Sequence, residues 1–302
     1  MTSPCNSRNW DGEVLGLRLP SIRWNHPGTE KLDRLGWSAG ISLTIFGLRV
    51  GIRVSAPEFL DSLVSCFPLG WKPAPPAMAE RIYSVIGRGV AGPQKLGCRF
   101  NFLFVNGQQL VRTPNWEELC EALESDLDFY VARTTRTWLF VHAGVVGWKG
   151  RAVVIPGRSH SGKTTLVQAL LETGATYYSD EFAVFDQEGR VHAFPRALSV
   201  RSNATATRIP AAQLGAQTGS ISLPVGLVIL TRYKPGVRLW PKVLSVGEGM
   251  LGLLQNTLAA RRYPELAFTI LERAICQAQV LGGTRGEALE TARLIVRRLE
   301  QA

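Results

Sequence analysis

Residues 157–164 read Gly157-Arg158-Ser159-His160-Ser161-Gly162-Lys163-Thr164, which satisfies the pattern Gly-x-x-x-x-Gly-Lys-Ser/Thr. A loop of this kind holds polyphosphate through its backbone. Successive N–H groups turn inward onto the β- and γ-phosphates of a nucleotide, with the positive end of a helix dipole beneath them. Lys163 adds a point charge on the phosphates and the Thr164 hydroxyl can ligate Mg²⁺. Thr165 carries the binding segment into the helix. Gly157 and Gly162 supply backbone freedom that a side chain would block.

That chemistry requires a strand before the loop and a helix after it. Ala152-Val153-Val154-Ile155 is an apolar β-type run, and Thr164 to Leu171 has a helical pattern ending at Gly174, a suitable C-cap. Beyond it, Ala175 to Ser179 reads as a strand running into Asp180-Glu181. Asp180 lies seventeen residues after Lys163, enough for a helix, a turn and a returning strand. The strand then ends at the sheet edge that carries the loop, where ligands bind in such sheets. Asp180 can hold Mg²⁺ through water, or accept the proton of an incoming hydroxyl. Glu181 can take whichever role Asp180 does not. A surface turn would use the same two residues. His142, ending the strand Trp138 to Ala143, can reach the γ-phosphate or the acceptor, although a His there also serves structure. His160 either touches phosphate or faces solvent.

Composition excludes other classes. The net charge is +10, which favours anionic ligands, yet no basic run exceeds two residues, so no nucleic-acid motif is visible. Cys5, Cys66, Cys98, Cys120 and Cys276 have neither metal nor redox spacing and read as reduced thiols. The start lacks an apolar leader, and the longest apolar stretch, Ile41 to Val54, contains Arg49 and Arg53 and is too short for a bilayer. A cytoplasmic protein is expected.

Two domains are expected, 1–134 and 135–302. The first reads as small and α+β. It has a strand pair or bent strand over 40–54, a helix opening at Pro57 and a Pro-rich connector from Pro68 to Pro76. Strands follow at 81–86 and 100–105, then an Asn106-Gly107 hairpin turn and a helix capped by Asn115. Gly87 to Gly92 fits Gly-x-Gly-x-x-Gly, but another strand rather than a helix follows, so it reads as a hairpin loop. The second domain adds a strand over Val145 to Trp148, a Lys149-Gly150 turn, a strand from Val225 to Thr231, and helices near 264–276 and 286–300. A Gly282-Gly283 turn is expected between those helices. Trp138, Phe140, Tyr177 and Phe185 fall at strand spacing and read as core.

The order of these pieces resembles the HPr serine kinase/phosphorylase family. The matching residues are His142-Ala143, the loop Gly157 to Thr164, Gly174, and Tyr178-Ser179-Asp180-Glu181. The family order is His-Gly, the phosphate loop, a helix ending in Gly, and a strand ending in Asp-Asp. The resemblance spans about residues 138–201. It implies an α/β fold with a P-loop core of the phosphoenolpyruvate-carboxykinase-like kind, ATP with Mg²⁺ as cofactors, and transfer to a serine hydroxyl. By position, Lys163 and Thr164 would bind phosphate and metal and Asp180 would activate the hydroxyl. Some relatives tailor peptides, lasso-type products included, or phosphorylate small molecules. Glu181 replaces the second family acid. The family's Glu-Ile-Arg-Gly signature is replaced by Phe194-Pro195-Arg196-Ala197-Leu198-Ser199-Val200-Arg201, where Arg196 or Arg201 can still neutralise phosphoryl charge. Arg232 and Lys234 are further basic candidates.

The leading expectation is therefore an ATP-dependent kinase acting on a hydroxyl of a peptide or protein. A small-molecule kinase of the same fold, and a nucleotide-binding regulatory module with weak hydrolysis, stand as alternatives. Neither a membrane nor nucleic acid is an expected partner, and a homo-oligomer is left open.

Overall fold

The computed structural model describes residues 28–75, 79–88, 99–158, 161–202, 205–238 and 241–301. The chain is mixed α/β and divides into two compact units between Val131 and Ala132.

The first unit runs α1 (Glu30–Asp33), β1 (Ala39–Ile45), β2 (Leu48–Val54), α2 (Glu58–Val64), β3 (Lys72–Pro73), β4 (Arg81–Ile86), β5 (Asn101–Val105), β6 (Gln108–Thr113) and α3 (Trp116–Thr134). Its sheet has the order β3-β1-β2-β4-β5-β6, and only β2 and β4 pair in parallel. The expected hairpins form because Phe46-Gly47 and Asn106-Gly107 take the positive φ angles that two-residue turns demand. Pro57 precedes α2, and the Asn115 side chain accepts from the Glu117 N–H at 2.9 Å to cap α3. Leu119, Leu123 and Leu127 recur every four residues and are fully buried. Across the sheet, the Tyr83 hydroxyl donates to Asp126 of α3 at 2.7 Å. The Gly-rich loop after β4 lies largely outside the described residues, but the strands on either side of it pair antiparallel.

The second unit runs β7 (Leu139–Trp148), β8 (Arg151–Pro156), α4 (Lys163–Glu172), β9 (Thr176–Ser179), β10 (Phe182–Phe185), β11 (Val191–His192), β12 (Leu198–Ser202), β13 (Thr205–Ile209) and a 3-10 turn (Ala211–Leu214). It continues with β14 (Val225–Tyr233), β15 (Lys242–Val243), α5 (Val246–Leu254), α6 (Pro264–Ile275), β16 (Gln279–Arg285) and α7 (Ala288–Gln301). The main sheet has the order β11-β10-β7-β8-β14-β16-β15, with β9 also on β7. β8, β14 and β16 are parallel to one another. Alternation along the strands sends Val153 and Ile155 to the face covered by Leu166 and Leu170 of α4 and Ile295 of α7. Val154 and Val228 go to the face covered by Leu253 of α5 and Ile270 of α6.

β7 organises the unit. Its second half pairs with β8 on one side and β9 on the other, while its first half pairs with β10. Since β8 and β9 are both antiparallel to β7, they point the same way and end at one edge. Two expectations change here. Leu139 to Ala143 and Val145 to Trp148 belong to a single strand that passes through Gly144, and Trp138 lies just before it. Gly282-Gly283 is not a turn: both residues lie within β16, paired with Leu230 and Thr231 of β14. A side chain on Gly282 would collide with Leu244, so the glycine makes room for packing.

Gly144 has the same function beneath the loop helix. A Cβ there would stand 2.5 Å from Cγ2 of Val167 in α4. We expect Gly144→Ala to cost about 1–3 kcal/mol through overpacking. Urea denaturation should show Gly144→Ala combined with Val167→Ala to be less destabilised than the sum of the two single changes.

Candidate functional site

The site lies where β8, β9 and the first turn of α4 meet. β8 ends at Pro156, paired with Ala143. The Gly157 N–H donates to the His142 carbonyl at 3.2 Å, which fixes where the loop departs. Gly157 leaves space that the Ser161 hydroxyl fills. Gly162 takes φ +82° at the N-cap of α4, and its carbonyl accepts the first helical hydrogen bond from Leu166. Ser159 and His160 lie outside the described residues. The Arg158 side chain is exposed and only its carbonyl enters the site, accepting from Lys163 Nζ at 3.0 Å.

On the other side of β7, β9 delivers Asp180 and Glu181 to the same edge. Two turns of hydrogen bonding hold the pair. The Ser179 hydroxyl accepts from the N–H groups of Glu181 and Phe182, and the Ala143 N–H donates to the Glu181 carbonyl. Asp180 is 5% exposed and lies across from α4, where the Thr164 hydroxyl donates to its Oδ2 at 3.1 Å. The Tyr177 hydroxyl, buried beneath, lies 3.1 Å from Asp180 Oδ1 and 2.8 Å from the Arg196 carbonyl. Glu181 turns instead toward His142, whose Nε2 lies 3.3 Å from Glu181 Oε1 and 3.3 Å from Lys163 Nζ. That single ring nitrogen can donate to the carboxylate or accept from the ammonium, not both.

These residues enclose an open cleft of about 590 Å³, which Thr165, Gln168, Ser199 and Val200 also line. Its electrostatics separate the two acids. Burial pushes the Asp180 carboxyl above its ordinary range. The Thr164 and Tyr177 hydrogen bonds offset part of this, and the charge of Glu181 adds to it. Burial acts on Glu181 in the same direction, but the hydrogen bond and charge of His142, with Lys163, outweigh it and hold its pKa low. Burial presses the Lys163 ammonium down, and Glu181 and Asp180 pull it only partly back. Tyr177 is raised far out of reach of titration by burial and the neighbouring Asp180. Two neighbouring carboxylates pushed apart in this way are suited to different tasks.

Among the described residues no group of three or more His, Cys, Asp and Glu gathers as a metal cage. A Mg²⁺ ion needs none, because it keeps water and phosphate oxygens and takes only one or two protein ligands. The Thr164 hydroxyl and the Asp180 carboxylate, adjacent in the cleft, fit that demand.

The structure brings Lys163, Thr164, His142, Asp180 and Glu181 together. It does not bring Arg232 or Lys234, both of which are exposed at the end of β14. Arg196 stacks on Phe194 at 5.3 Å and contributes its carbonyl to Tyr177. The Arg201 side chain falls outside the described residues. Two participants carried no sequence signal of function. Tyr177 sits in the core as expected, but with its hydroxyl on Asp180. Arg285, at the end of β16, is 3% exposed, and its Nη2 donates to the Gly162 carbonyl at 2.8 Å.

No family model matches the chain, and no curated protein does. Among solved structures, the Hpr(Ser) kinase/phosphatase from Coxiella burnetii is similar at 15% identity, with 54% of this chain and 99% of that chain covered and a TM-score of 0.32. A likeness of that size assigns no residue and no activity.

The elevated Asp180 pKa has a consequence for stability. Below the ordinary value of 3.8 the carboxyl is protonated both folded and unfolded, and its favourable contribution is complete. As pH rises through the higher folded pKa that contribution is lost. The ligand-free Asp180→Asn protein should therefore melt above the wild type at neutral pH, and the difference should vanish on acidification below pH 3.8. Melting curves across pH check this. A wild type more stable than the variant at pH 7 would contradict it.

Proposed function

We propose that the second unit is an ATP-dependent, Mg²⁺-requiring phosphotransferase that moves the γ-phosphate to a hydroxyl, with a serine of a peptide or protein as the preferred acceptor. The observation that carries this reading is the placement of buried Asp180 3.1 Å from the Thr164 hydroxyl, at the first turn of the helix that bears Lys163. A phosphate loop alone binds nucleotide. A phosphate loop with a carboxylate of raised basicity opposite it can also accept a proton.

Each residue then has a task. The loop N–H groups and Lys163 hold the β- and γ-phosphates and neutralise the charge that builds on the leaving ADP. Thr164, with Asp180 through a water, would hold Mg²⁺, which would supply further charge neutralisation, so that the Asp180 carboxylate stays free to accept a proton. Asp180 takes the proton from the acceptor hydroxyl as its oxygen bonds to the γ-phosphorus and the bond to the β–γ bridging oxygen breaks. Tyr177 and Thr164 fix the orientation of Asp180. His142 and Glu181 border the space beside Lys163 where an acceptor would enter.

One observation favours a second reading. Glu181 is held ionised in the cleft, paired with His142, a combination that can orient water rather than an alcohol. A nucleotide-binding module with slow hydrolysis would use it so.

Incubation of the protein with γ-labelled ATP, Mg²⁺ and a library of serine peptides separates the two readings. Phosphoserine is expected, whereas free phosphate as the sole product selects hydrolysis. Lys163→Ala should abolish nucleotide binding. Asp180→Asn should bind ATP and lose transfer by about 10²- to 10⁴-fold, the usual share of a positioned proton acceptor. Transfer at the wild-type rate by Asp180→Asn would remove its assignment as base.

A further inference from the structure

Arg285 is a cation in an unusual place. It is 3% exposed, and among the described residues no carboxylate pairs with it directly: Glu287, hydrogen-bonded to Tyr233, acts on it only from a distance. Its guanidinium donates to two neutral carbonyls, Gly162 at 2.8 Å and Gly286 at 3.1 Å, and lies over the Tyr233 ring at 5.3 Å. It also stands at the N-terminal, positive end of α4, which favours anions and disfavours cations. The helix start, Lys163 and Arg285 thus converge at the loop, and Arg285 makes its hydrogen bonds to carbonyls rather than to a carboxylate. A Cβ on Gly162 would stand 2.4 Å from Arg285 Nη2, and Gly162 takes the left-handed φ of +82° that favours glycine. Burying a charge without a paired partner is costly, and an anion at the loop would relieve that cost.

We propose that Arg285 is a positioning residue for polyphosphate. It holds the Gly162 carbonyl at the start of α4 and places a fixed positive charge there, behind the residues that carry Lys163. The inference rests on the kinase reading and adds a residue from the far end of the sheet to its phosphate site. Arginine suits the role because its planar fork reaches two carbonyls at once, which an ammonium cannot do in the same geometry.

The test measures binding of ATP and of inorganic tripolyphosphate, each with Mg²⁺, to the wild type, Arg285→Ala and Arg285→Lys. Circular dichroism and ligand-free melting report folding. Arg285→Ala should bind tripolyphosphate about tenfold or more weakly, the worth of a charged hydrogen bond, and millimolar guanidinium should restore part of the loss. Arg285→Lys should fall between the two. A folded Arg285→Ala with wild-type affinity for tripolyphosphate overturns the proposal. If Arg285→Ala does not fold, Arg285→Lys decides: wild-type affinity overturns the proposal and weakened affinity sustains it. A wild type that binds neither probe removes the kinase reading itself, and this inference with it.

Discussion

A single hydrogen bond, Thr164 to Asp180, closes the gap between the first turn of α4 and the end of β9, and the chemistry we propose for the second unit depends on it. It exists because β7 is long enough to carry β8 on one side and β9 on the other. Both neighbours run opposite to β7, so both finish at one edge. The phosphate loop leaves from one and the acids leave from the other. The residues beneath that edge exist to keep this geometry. Gly144 lets α4 lie close to the sheet, and Tyr177 braces Asp180 from below. The Ser179 hydroxyl shapes the turn that presents the acids.

The same proximity sets two buried charges near each other. Lys163 and Asp180 are both buried, and burial disfavours the charged form of each. Their mutual attraction repays only part of that cost. A magnesium-bound polyphosphate would add opposite charge to both, negative for Lys163 and positive for Asp180. Sites that store such a cost gain affinity and function at the expense of unliganded stability.

Much of this was legible in the sequence, for identifiable reasons. The loop could be read because the strand–loop–helix order and the fixed positions of Gly157, Gly162, Lys163 and Thr164 constrain one another. Asp180 could be read because a helix and a returning strand fill the interval after Lys163 with nothing to spare. Positive-φ turns such as Asn106-Gly107 announced the hairpins. Other features follow from tertiary contact and left no local trace. Gly282-Gly283 has turn composition, yet pairing with β14 and the bulk of Leu244 keep it extended. Tyr177 carries the spacing of a core residue, and nothing local shows that its hydroxyl meets a carboxylate. Arg285 lies 123 residues from Gly162, so only the parallel alignment of β14 and β16 beside β8 brings it to the loop.

The most direct test of the account is a crystal structure of the full chain with magnesium and a non-hydrolysable ATP analogue. The β- and γ-phosphates should rest on the amides of residues 157–164, with the Asp180 carboxylate facing the γ-phosphate. An analogue bound elsewhere, or a carboxylate turned from it, would contradict the account.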